Sequence, residues 1–81
     1  MQVRLISMHH PGIAQNSKTE NVSTNGVRAL TTNPLRPQER LYITSPDGKI
    51  RTYAHVVYCQ RLADRCFAVG LRFQGGARPT N

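Results

Sequence analysis

Three histidines, two cysteines and four carboxylates are the side chains here that could move protons, attack a substrate or hold a metal. His9 and His10 stand side by side before Pro11-Gly12. Neighbours on an extended chain point to opposite sides, so the pair makes a poor chelate without a third ligand. His55 falls on the outward face of an alternating stretch, as a solvated side chain. Glu20, Glu39, Asp47 and Asp64 show no spacing that would set a general acid against a general base. Cys59 and Cys66 have no companions at metal-ligand spacing. No catalytic constellation emerges, so the chain reads as non-enzymatic, with no metal and no cofactor.

One stretch has a chemistry of its own. Asn21-Val22-Ser23-Thr24-Asn25-Gly26-Val27-Arg28 combines small polar donors and acceptors, a glycine that lets backbone approach a ligand, and an arginine just beyond. The same residues also read as a plain turn between strands, with Asn25-Gly26 suited to positive φ. Asn21-Val22-Ser23 matches an N-glycosylation acceptor too. That match is idle without a secretory route, and MQVRLISMHHPG lacks the apolar core of a signal peptide.

The bulk composition says what such a turn would meet. Eleven Lys and Arg against four Asp and Glu leave a formal charge of +7 on 81 residues, and nine of the eleven cations are Arg. The planar guanidinium fork suits phosphates and guanine edges, so the expected partner is anionic. A chain this short forms one domain and buries only about 60% of its unfolded surface, which excludes a deep enclosed site. The expected domain is 1–75, with a flexible tail over 76–81 after Gly75. No apolar run is long enough for a membrane span, which points to a cytoplasmic chain with reduced thiols.

The elements that must position these residues are strands. No helical periodicity occurs, whereas alternating runs cover 3–8, 14–23, 27–31, 40–44, 50–60 and 66–73. The run 14–23 is the weakest, since only Ala14 and Val22 in it are apolar. Pro34 and Pro37 stiffen one connection, and Ser45-Pro46-Asp47-Gly48 closes a hairpin. Centring the last hairpin between Leu62 and Ala63 sets Tyr58 opposite Phe67, Val56 opposite Val69 and Ala54 opposite Leu71. All six then face the core with Phe73. The same register opposes Cys59 to Cys66, close enough for a disulfide. Six short strands protect their edges best by closing, so the expectation is an all-β, six-stranded antiparallel barrel. Arg65-Cys66-Phe67-Ala68-Val69-Gly70-Leu71-Arg72-Phe73 distantly resembles the stacking strand of an RNA-recognition fold. Inward phenylalanines and the lack of helices oppose that reading.

Four motifs in order make a closer match. Asn21-x-Ser23-x-x-Gly26, Leu35-Arg36-Pro37 with Leu41-Tyr42-Ile43, Ala54-His55-Val56-Val57, and Val69-Gly70-Leu71-Arg72-Phe73 together resemble the PilZ domain, a small bacterial barrel that serves as a receptor for cyclic di-GMP. The resemblance covers about residues 3–73. It implies a non-catalytic signalling receptor or adaptor, with Asn21, Ser23, Gly26, Arg28 and Arg4 at a nucleotide site and a protein partner reading the outcome. Family members that bind the nucleotide also carry Arg-x-x-x-Arg before the first strand. Here Arg4 is the arginine upstream of the turn, it sits inside the first expected strand, and residue 8 is Met8. The resemblance therefore implies weakened or lost binding. A basic nucleic-acid-binding barrel is the alternative. It needs exposed aromatics over a basic groove, and only five aromatics exist, three of them assigned to the core.

Overall fold

The computed structural model describes residues 1–9 and 14–74. His10-Pro11-Gly12 and the expected tail lie outside the described residues.

Six antiparallel strands form the fold: β1 (Gln2–Ser7), β2 (Ala14–Val22), β3 (Gly26–Thr31), β4 (Arg40–Thr44), β5 (Arg51–Ala63) and β6 (Cys66–Phe73). They pair in the order β1-β2-β3-β6-β5-β4 and close as a barrel through β1 and β4, as the all-β reading expects. Alternation carries Val3, Leu5, Val27, Ala29, Leu41, Ile43, Ala54, Val56, Val69 and Leu71 inward, where they form a single core. The core has no aromatic ring, which suits the narrow interior of a six-stranded barrel.

β2 is the exception to the pattern. Its two apolar residues, Ala14 and Val22, are exposed, and its buried positions are Ser17 and Thr19. Thr19 Oγ1 donates to the Met1 carbonyl at 3.0 Å, whereas the Ser17 hydroxyl is buried with no partner among the described residues. Ladder pairing to β1 and β3 holds this strand in place of apolar burial.

The β4–β5 connection forms as its residues dictate. Ser45 Oγ donates to Asp47 Oδ1 at 2.6 Å, Asp47 Oδ1 also accepts the Lys49 N–H at 3.0 Å, and Gly48 takes φ +77°. The longer β3–β4 connection, residues 32–39, folds over one end of the core with Leu35 packed against it. Glu39 ties it down by accepting from Ser7 Oγ and the Arg36 N–H, both at 3.1 Å.

The last hairpin departs from the expected register. The chain reverses at Asp64-Arg65, where Arg65 takes φ +57°, and Ala63 pairs with Cys66. Irregularities between Val56 and Tyr58 and between Arg61 and Ala63 then shift the ladder, so that Tyr58 opposes Gly70, Val56 opposes Leu71 and Ala54 opposes Phe73. Ala54, Val56, Val69 and Leu71 stay inside, but Tyr58 turns outward at 39% exposure. Phe67 is half-buried outside the core cluster, and Phe73 is half-buried against it. Cys59 pairs with Val69 and not with Cys66, so the expected opposition of the two thiols does not occur; both are free.

Candidate functional site

The β2–β3 turn is closed by its own serine. The Ser23 N–H donates to the Gly26 carbonyl at 2.9 Å, and Ser23 Oγ accepts the Asn25 and Gly26 N–H groups at 3.3 Å each. Ser23 thus shapes the loop. Neither Asn25 nor Gly26 has a positive φ, contrary to the expected reason for that pair. Gly26 is required for a different cause: a Cβ there would run into the Leu71 carbonyl oxygen of β6.

Beyond the turn, one row of outward positions crosses four strands. Asn21 on β2 pairs with Arg28 on β3, Arg28 with Gly70 on β6, and Gly70 with Tyr58 on β5. The Tyr58 ring occupies the space a Cβ on Gly70 would need. Arg28 Nη1 donates to Tyr58 Oη at 2.8 Å, its guanidinium carbon stands 5.8 Å from the ring centroid, and its Nε donates to Glu20 Oε1 at 2.9 Å. These contacts, Glu20 first and Tyr58 second, hold the Arg28 pKa above its ordinary value. Two of five guanidinium N–H groups are occupied, leaving three to meet a ligand.

Asn21, Ser23, Gly26 and Arg28 line one open depression of about 380 Å³, whose far wall is Val57, Tyr58 and Arg72. Arg4 does not join them. It pairs with Asn16 and Thr44 and lines a separate depression beside Pro46. A larger cavity of about 890 Å³ lies under the 32–39 connection, and none of Asn21, Ser23, Gly26 and Arg28 reaches it. No group of three His, Cys, Asp or Glu among the described residues is placed to hold a metal, and no helix among them is long and apolar enough to cross a membrane.

In a comparison against family models, the PilZ domain matches residues 3–80. The chain belongs to the PilZ domain family. Searches of curated proteins and of solved structures each gave no match. PilZ membership accounts for a signalling-receptor type of domain. Tyr58 and Gly70 complete the depression and Glu20 holds Arg28 beside it, but none of the three was legible as a site residue in the sequence. Tyr58 is hidden by the irregularity at Val57, which reverses the face that simple alternation gives it.

Proposed function

We propose that this chain is a non-catalytic cytoplasmic receptor or adaptor module of the cyclic di-GMP-binding type, in which the nucleotide docks on the outer face beside the 21–28 turn and a protein partner responds. The Asn21, Arg28, Gly70 and Tyr58 row beside the turn carries this reading. Asn21 bonds a guanine edge, and Ser23 and Gly26 hold the backbone clear of the ring. Arg28 and Tyr58 offer planar faces on which a purine stacks.

Within these 81 residues Arg4 is the arginine upstream of the turn, and it lies away from the depression. The two guanidinium anchors of an Arg-x-x-x-Arg arm are each worth about 1.5–3 kcal/mol as charge-assisted bonds, so binding by these residues alone is weaker by about two to four decades. Calorimetry tests the reading in two steps. Extending the chain with an arginine-bearing arm before Val3 raises affinity for cyclic di-GMP, and Asn21→Ala with Ser23→Ala abolishes the gain. Submicromolar binding by the unextended chain would refute the role of the arm; a gain indifferent to Asn21 and Ser23 would put the site elsewhere.

A second reading, a single-stranded nucleic-acid binder, is favoured by one observation. Tyr42 and Tyr53 pair edge to face on the outer sheet at 4.9 Å and 61°, in the row next to Arg4, Thr44 and Arg51. Oligonucleotide affinity that collapses with salt while cyclic di-GMP is ignored would decide for it.

A further inference from the structure

The row of outer positions next to the turn gathers positive charge without its counter-charge. Arg40 on β4 pairs with His55 on β5, and His55 pairs with Arg72 on β6. Directly opposed side chains in antiparallel strands have Cβ atoms about 4.5–5.5 Å apart, so Arg40 and Arg72 stand on either side of His55 in one cross-strand row. Arg40 and Arg72 lie two strand spacings apart, about 10 Å, near enough for both long side chains to reach one ligand. Here all four carboxylates are engaged elsewhere: Glu20 with Arg28, Asp64 with Arg61, Glu39 with Ser7 and the Arg36 N–H, Asp47 within its own turn. Among the described residues neither Arg40 nor Arg72 has an acidic partner.

The row is also concave. Arg40, His55 and Arg72 line a depression of about 480 Å³ together with the amide side chains of Asn25 and Gln38. Cations, neutral donors and no anion suit a phosphate oxyanion, which accepts hydrogen bonds from them. Asn25 and Arg72 line both this depression and the one holding Asn21 and Arg28, so a single ligand can span the two.

We propose that Arg40, His55 and Arg72 form a phosphate-binding subsite on the barrel face itself. The subsite anchors the phosphodiester of a nucleotide whose base lies against the 21–28 turn. The identity of that nucleotide rests on the receptor reading above; the anion chemistry of the row does not.

The test is an amide-resolved NMR titration of the whole chain at fixed ionic strength, with inorganic pyrophosphate in one arm and cyclic di-GMP in the other. Wild type is compared with Arg40→Gln/Arg72→Gln and with Arg72→Lys. Pyrophosphate is expected to shift residues 40, 55 and 72 saturably in the wild type, to bind about tenfold or more weakly to the double variant, and to fall between the two for Arg72→Lys, which keeps the charge but loses the fork. Shifts spread evenly over the basic surface, Arg61 and Arg65 included, would overturn the subsite, as would undiminished binding by the double variant. Saturation of the row by pyrophosphate with no response to cyclic di-GMP, in the chain extended by the arginine-bearing arm as well, would leave the subsite standing and remove the receptor reading. Cyclic di-GMP bound at the turn with unchanged affinity in the double variant would do the reverse. The wild-type map carries the proposal even where a variant is poorly folded.

Discussion

The ring of Tyr58 lies over Gly70, filling the place that any side chain at residue 70 would take. The two are direct cross-strand partners, and the ring reaches from there to the Arg28 guanidinium. The glycine therefore belongs to the site as much as the tyrosine does.

That relationship makes the two positions interdependent. Gly70→Ala displaces the ring and costs about 1–3 kcal/mol, typical of inserting a methyl group into occupied space. Combined with Tyr58→Ala, the same change costs much less. Urea unfolding of both single variants and the double gives the coupling; additive losses would separate the pair.

Ser17 is a polar group buried where the fold needs an apolar one. Ser17→Ala removes a hydroxyl that has no partner among the described residues and raises stability by about 1 kcal/mol. The midpoint of denaturant unfolding should move up at an unchanged slope. A fall would mean that the hydroxyl is satisfied in solution.

The hydrogen bond from Ser45, and after it the one from the Lys49 N–H, hold the Asp47 carboxyl below the usual carboxylate range. A depressed folded-state pKa adds stability above the unfolded value and loses it as pH falls through the folded one. The gap in melting temperature between wild type and Asp47→Ala should be full at neutral pH and shrink below about pH 4. A gap independent of pH would contradict the assignment.

Phe67 and Leu41 separate the observed register from the simpler one. Leu41 is 1% exposed within the core, and Leu41→Ala should cost about 2–5 kcal/mol. Phe67 is half-buried outside that cluster, so Phe67→Ala should cost less despite its larger side chain. Equal or greater loss at Phe67 would restore the Tyr58–Phe67 pairing.

Much of this architecture is legible in the residues. Alternation marks β4 and β6 at their observed bounds, and Ser45-Pro46-Asp47-Gly48 closes its turn by the bonds its side chains predict. The hairpin register is not legible, because it depends on where extra residues enter a ladder. Asp64 is the better turn former than Leu62 or Ala63, but nothing local marks the irregularity at Val57 that turns Tyr58 outward. For the same reason the 21–28 motif can be seen in sequence while the wall facing it cannot. Gly26 is found for the wrong reason, since its constraint comes from a strand more than forty residues away in the chain.

Closure of the barrel through β1 and β4 has a consequence for recognition. Every strand has a neighbour on both sides, but β4 covers β5 only from Arg51 to His55, so among the described residues the stretch 57–63 of β5 is paired on its β6 side alone. A protein partner can therefore add a strand only along that stretch, and elsewhere must read side chains on the outer face or the connecting loops. Over the rest of the barrel recognition is left to surface side chains, where substitutions can redirect it without touching the ladder that holds the fold.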